Sequence, residues 1–162
     1  MKRETGQPDH DTIARRGFLT TGLAGCLGIA AGAGLPVAAA AAPTPEEEAN
    51  IRVVNAFCAA WSEHNLDKLV GFFADTGAYR MTETMEPAKG REALTARMKS
   101  IVNNVVKFEI HDTWARGPMV INERTDSFSN FQLKAWHGVG VFFLKDGKIV
   151  EWYDYTISSE RA

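Results

Sequence analysis

The stretch 119–128, Met119-Val120-Ile121-Asn122-Glu123-Arg124-Thr125-Asp126-Ser127-Phe128, follows a Gly117-Pro118 turn and precedes a Ser129-Asn130 loop. Residues two apart on a β-strand share a face. Read as a strand, the stretch puts Val120, Asn122, Arg124, Asp126 and Phe128 on one side. A second segment, Trp152-Tyr153-Asp154-Tyr155, gives Asp154 the parity of Trp152 and Thr156. If the two strands lie close, Asp154 approaches the Arg124 guanidinium from the side opposite Asp126. Five fixed donors let one guanidinium hold two carboxylates. Two arrangements satisfy the pattern. One is a solvated face whose ion pairs contribute little. The other is an apolar pocket in which Arg124 offsets two acids that would be costly if buried alone. Phe128 and Trp152, on the same faces as the charges, favour the pocket.

Outward from this strand, 105–115 alternates, with Phe108, Ile110, Asp112 and Trp114 on one parity. Residues 133–144 and 149–157 read as two more strands, joined by Lys145-Asp146-Gly147-Lys148, a tight hairpin signal. Upstream, Thr44-Pro45-Glu46-Glu47-Glu48 starts a helix: Thr44 caps, Pro45 suits the first turn, and the acids favour its positive end. Ile51, Val54, Cys58 and Trp61 recur at helical spacing. Asn65 caps a short second helix carrying Leu66, Leu69, Val70 and Phe73. Asp75-Thr76-Gly77 reads as a turn, 78–81 as a short strand and 86–90 as a loop. A third helix is expected over 91–103, with Leu94, Met98 and Ile101 inward. Three helices followed by a strand meander define an α+β fold. The expected shape is a cone: a strongly curved antiparallel sheet, N-terminal helices on one face, and an apolar pocket open at one end.

Residues 1–42 read as an export leader. A charged head ends in Arg15-Arg16, an apolar Gly- and Ala-rich run follows from Leu19 to Val37, and small residues fill 38–42. Arg15-Arg16-Gly17-Phe18-Leu19 resembles a bacterial twin-arginine signal, which implies an exported, periplasmic or secreted protein. Leu23-Ala24-Gly25-Cys26 resembles a lipoprotein box and leaves lipid anchoring at Cys26 as the alternative to cleavage. The run is too weakly apolar for a stable transmembrane span in the mature form. Residues 43–162 make one domain. Without Lys2, Arg3, Arg15, Arg16, Glu4, Asp9 and Asp11 the chain keeps 14 basic and 17 acidic residues. No basic patch or aromatic-basic interleaving points to nucleic acid. Cys58 alone remains after cleavage, so no internal disulfide forms, and it reads as a small core residue.

The remaining titratable residues carry weaker signals. His64 reads as a helix-end cap at the surface and His111 as solvent-facing. His137, beside Trp136, is placed at the cavity mouth. Asp75 is a turn residue, or a base if the domain is an isomerase. No His, Cys, Asp and Glu set has metal-ligand spacing, and no Ser- or Cys-centred nucleophile motif is present.

Residues 44–158 resemble the limonene-1,2-epoxide hydrolases, within the SnoaL-like and nuclear-transport-factor-2-like fold group. The resemblance rests on Tyr79 in Ala78-Tyr79-Arg80-Met81, on Gly90-Arg91-Glu92-Ala93 and on Glu123-Arg124-Thr125-Asp126. Gly147-Lys148-Ile149 and Trp152-Tyr153-Asp154-Tyr155 complete it. It implies a curved sheet around a deep pocket, usually in a homodimer, with no metal or organic cofactor. It also implies one-step hydrolysis of an epoxide to a vicinal diol. Asp154 takes a proton from the attacking water, Asp126 hands one to the epoxide oxygen, Arg124 bridges both, and Tyr79 orients the water. Ile101, Val105, Phe128, Trp136 and Trp152 fall where the family lines its cavity, and two tryptophans suit a bulky apolar substrate. One position departs from the family: the Asn expected two residues after Tyr79 is Met81, whose thioether donates no hydrogen bond. Thr82 or His137 could replace it. The same scaffold also serves SnoaL-like cyclases, ketosteroid-type isomerases and non-catalytic ligand-binding domains.

Overall fold

The capping signal at Thr44 starts a helix as the sequence predicts. In the computed structural model, which describes residues 42–129 and 132–161, helix α1 runs Pro45–Ala60. Thr44 Oγ1 accepts from the Glu47 amide at 3.2 Å, and Thr44 N donates to Glu47 Oε2 at 2.7 Å. Two orphan donors of the first turn are thereby satisfied. The other Glu47 oxygen accepts from Gly117 N at 2.7 Å, tying the start of α1 to a sheet turn. Asn65 caps α2, Leu66–Gly71, through the Lys68 amide. Helix α3 spans Arg91–Lys99, shorter than the expected 91–103, and a single tight turn follows at Val102–Asn104. The leader expected over 1–42, with its twin-arginine and Cys26 motifs, lies outside the described residues except for Ala42.

Among the described residues, six strands form one open sheet in the order β2-β1-β6-β5-β4-β3. They are β1 Phe73–Arg80, β2 Ala88–Lys89, β3 Val105–Arg116, β4 Met119–Phe128, β5 Leu133–Lys145 and β6 Lys148–Arg161. The α+β class and the β3 to β6 meander match the sequence reading, and that meander is antiparallel throughout. The sheet as a whole is mixed, because β1 pairs parallel with β6. Two further corrections concern its edge. Asp75-Thr76-Gly77 is not a free turn but a bulge within β1: Phe73 pairs Ile149 and Ala78 pairs Glu151, five steps on one strand against two on the other. Ala88 and Lys89, read as loop, add a short antiparallel edge strand to β1.

The inward face of the sheet packs under the helices. Val54, Phe57 and Cys58 of α1, with Trp61 just after it, meet Phe73, Val120, Phe142, Ile149 and Trp152. Phe57 stands at the centre, with edge contacts to Trp61, Phe72, Phe73, Phe142 and Trp152 at 5.0–6.1 Å. Such pairs add about 0.5–1.5 kcal/mol each beyond area burial. A shift in the β3–β4 register between Ile110 and Asp112 reverses facing partway along β3. Phe108 and Ile110 lie opposite Asp126 and Arg124, whereas Trp114 lies opposite the outward Ile121 and is 50 % exposed. The four residues therefore do not share one face, as strict alternation had predicted. Among the described residues, no helix is long and apolar enough to cross a membrane.

Candidate active site

Strands β4, β5 and β6 run side by side, and their inward residues meet at the sheet centre. On β4 the buried positions are Val120, Asn122, Arg124 and Asp126. On β6 they include Trp152 and Asp154. Between them β5 contributes two glycines. Gly140 pairs Asn122 on one side and Asp154 on the other, and Gly138 pairs Arg124 and Thr156. A Cβ at Gly140 would stand 2.4 Å from Arg124 Nη1, and one at Gly138 would stand 2.2 Å from Trp136 Cζ2. Glycine at these positions hollows the strand so that the guanidinium and the indole lie flat against it.

Arg124 is fully buried. Its Nε donates to Asp126 Oδ1 and its Nη2 to Asp154 Oδ1, each at 2.9 Å. The guanidinium carbon lies 4.9 Å from the Phe108 ring centre, 5.0 Å from Trp136 and 5.4 Å from Trp152. Ring faces stabilise a desolvated cation. Among the described residues Nη1 has no hydrogen-bond partner. The pocket arrangement, not the solvated face, is the one realised. Arg124 bridges acids from two strands, and their side chains are nearly equally enclosed, 6 % exposed at Asp126 and 5 % at Asp154.

Burial raises both carboxyls, and the guanidinium opposes it at each. Asp126 is pushed up to about 7 by burial, with the neighbouring Asp154 charge adding to the rise. Asp154 is raised by burial too, against Arg124, an indole donor from Trp152 at 2.7 Å and the Tyr79 phenol. Donors to a carboxylate favour its charged form. Asp154 has three such donors and Asp126 one, so hydrogen bonding favours the charged form more strongly at Asp154. Burial also holds the Tyr79 phenol well above its ordinary value, leaving it a neutral donor. The Cys58 thiol, pushed up to about 12 by burial, is neutral and donates to Asn122 Oδ1 at 3.6 Å.

A cavity of about 70 Å³ lies against this cluster, with about 460 Å³ of empty space when its opening to solvent is counted. Tyr79, Asp126 and Asp154 face it, with Met81, Thr82, Ile101, Phe108, Phe128, Leu133 and Trp136 as walls. Three of the four residues singled out for chemistry thus face one apolar hollow, and Arg124, fully buried, bridges the two acids without lining it. Of the five expected wall residues, Ile101, Phe128 and Trp136 line it and two do not. Val105 is buried in the core at the start of β3. Trp152 is turned away from the opening, stacked between Tyr79, 3.8 Å between ring centres, and Phe142, at 5.5 Å. Phe108, Thr82 and Leu133 were not expected as walls; inward parity on β3 was the available signal for Phe108, and the glycines within β5 were the signal for its hollow.

His64, His111 and His137 lie elsewhere. His64 adopts a left-handed conformation at a helix end, and its Nε2 lies 2.7 Å from the Val105 carbonyl oxygen. His111 is exposed, its Nε2 2.8 Å from Thr125 Oγ1. His137 is not at the cavity mouth: alternation along β5 turns Trp136 inward and His137 outward, where its Nε2 lies 2.9 Å from Glu123 Oε1. Asp75 sits in the β1 bulge, exposed and paired with Arg91. Among the described residues no group of three or more His, Cys, Asp or Glu side chains could hold a metal ion.

A fold of this kind, with acids and an arginine on the floor of a cup, places the chain in a known class. The SnoaL-like domain model matches residues 54–152, and the chain belongs to that family. A Mycobacterium tuberculosis epoxide hydrolase of the limonene-epoxide-hydrolase type is 28% identical, with a TM-score of 0.61 over 69% of this chain and 85% of its own. A candidate ketosteroid isomerase from Kribbella flavida matches at 13% identity and a TM-score of 0.60, over 72% of this chain and 84% of its own. A candidate polyketide cyclase from Xanthomonas campestris matches at 18% and 0.57, over 68% and 91%. The last two are similar in fold.

Proposed function

We propose that this protein opens an apolar epoxide to a vicinal diol by direct attack of water. The observation that carries the reading is the Arg124 guanidinium holding Asp126 and Asp154 at 2.9 Å each, with Tyr79 beside them at the cavity. Epoxide opening needs a base for the water and an acid for the leaving oxygen at the same moment. Asp154, ionised, accepts the proton of a water as that water attacks a ring carbon. Asp126, protonated, donates to the epoxide oxygen as the carbon–oxygen bond breaks. One carboxyl gains a proton and the other loses one, so the buried charge is unchanged and Arg124 neutralises it throughout. Tyr79 directs the water, and the Thr82 hydroxyl stands in for the amide that Met81 lacks.

The cavity suits this division. At about 70 Å³ it has room for the reacting ring and one water, at roughly 30 Å³ per water. A bulky apolar body would extend toward the opening, along Leu133, Phe128 and Trp136. The test is diol formation from a panel of terpene- and steroid-like epoxides, compared with Asp154→Asn. A fall of about 10²–10⁴-fold is expected for loss of the base. Equal turnover by both proteins would refute the assignment.

Met81 supports a second reading, a cyclase or isomerase in which Asp154 removes a proton beside a carbonyl and no water need be fixed. Deuterium exchange at carbon in an enone, without diol formation, would select it. The same proposal includes export through the twin-arginine leader and pairing of two copies across the outer sheet face. There Trp114 and Tyr155 are 50 % and 43 % exposed.

A further inference from the structure

We infer that Trp152 is a positioning residue that fixes which oxygen of Asp154 faces the cavity and holds the Tyr79 ring beside it. The inference rests on the hydrolase reading for its kinetic consequences, but its geometry stands apart from that reading. Trp152 is fully buried and does not wall the cavity. Its Nε1 donates to Asp154 Oδ1 at 2.7 Å, the same oxygen that accepts Arg124 Nη2 at 2.9 Å. Two donors thus meet at one oxygen, the Tyr79 phenol is a further donor to the same carboxyl, and in the hydrolase reading Oδ2 takes the proton from water. Trp152 and Asp154 are two apart on β6, so both side chains leave the same face of one strand. The indole is clamped in turn. Phe142 stacks on it with ring planes 9° apart, and Phe57 meets it edge-on at 5.0 Å.

The Tyr79 ring lies 3.8 Å away with planes 10° apart, so the same indole also sets the plane of the phenol. β1 pairs parallel with β6 here, with Tyr79 opposite Trp152. The indole is therefore the joint between two groups that must meet one water. An acid able to rotate would present either oxygen, and small misplacements at a reacting centre cost large factors in rate.

The experiment uses the full chain and compares Trp152→Phe with Phe142→Leu. Trp152→Phe keeps a ring against Tyr79 and Phe142 but deletes the donor. Phe142→Leu loosens the stack and keeps the donor. Carboxyl carbon NMR of the ligand-free proteins follows the titration of Asp154. The donor stabilises the charged form, so Trp152→Phe moves that titration to higher pH, and Phe142→Leu leaves it in place while lowering Tm. With an epoxide, Trp152→Phe lowers kcat about tenfold at unchanged KM and moves the acid limb of the rate profile upward. An unmoved Asp154 titration in Trp152→Phe overturns the inference, as does an equal movement in both variants. If wild type opens no epoxide, the hydrolase reading fails, and the ligand-free titration alone decides the role of Trp152.

Discussion

Replacing Arg124 by Met removes a cation that two buried acids share. The guanidinium has no solvent exposure, makes two ion pairs at 2.9 Å, and opposes the burial that raises both carboxyls. Met fills much of the volume and leaves the acids unpaired. Removing one partner of a buried pair costs about 3–5 kcal/mol. The cost depends on pH with a definite sign. Asp126 stands at about 7 in the folded protein against an ordinary 3.8. Its folded value is raised, so the stability it contributes is fully present below about 4 and is lost as pH rises through about 7. Without Arg124 the folded value climbs further, and the loss continues into the alkaline range. At pH 5 Asp126 is protonated in both proteins, and only Asp154 distinguishes them. At pH 8 both acids do. Urea unfolding of wild type and Arg124→Met at pH 5 and 8, at matched ionic strength, should show the variant less stable at both and further behind at pH 8. A loss below about 1 kcal/mol at pH 8, or one equal at the two values, would refute the reasoning.

Four other outcomes follow from the same geometry. Gly140→Ala puts a methyl 2.4 Å from Arg124 Nη1, 2.7 Å from Phe142 Cε2 and 3.2 Å from Asp154 Oδ1. It should cost about 1–3 kcal/mol in denaturant unfolding and about 10²-fold in diol formation. Gly71→Ala, with nothing within 4 Å of the new methyl, should leave the diol rate unchanged. The acid must carry its proton, so kcat measured across pH 5–9 should fall as pH rises through about 7; a rate still rising at pH 8 would exclude Asp126 as the donor. Met81→Asn sets an amide at the cavity wall near Tyr79 and should raise kcat for epoxide opening about tenfold by anchoring the water; an unchanged rate would leave that task to Thr82.

The helix starts were legible because capping chemistry is local: Thr44 with Glu47, and Asn65 with the Lys68 amide, need only their own turn. The β4 face was legible because period-two alternation runs unbroken from Val120 to Asp126. The approach of Asp154 to Arg124 was legible only as one of two arrangements, favoured by Phe128 and Trp152 on the same faces and by the family resemblance. What escaped depends on register between strands. The β3 bulge that turns Trp114 outward is set by pairing with β4, which no local pattern reports. The parallel β1–β6 pairing, with three residues looped out before Ala78, follows from how the chain crosses the sheet. Trp152 and Val105 look like wall residues by composition. Whether an inward side chain meets a cavity or a helix is decided by the helix above it, and here Phe57 and Trp61 close over Trp152.

A single turnover in water enriched in heavy oxygen, with enzyme in excess over epoxide, tests the central claim most directly. Water attacks carbon without a bond to protein, so the account predicts one labelled oxygen in the diol and none in Asp126 or Asp154. An unlabelled first-turnover diol, with the label later recovered in one of those carboxylates, would mean that an acid itself attacks carbon, and would contradict it.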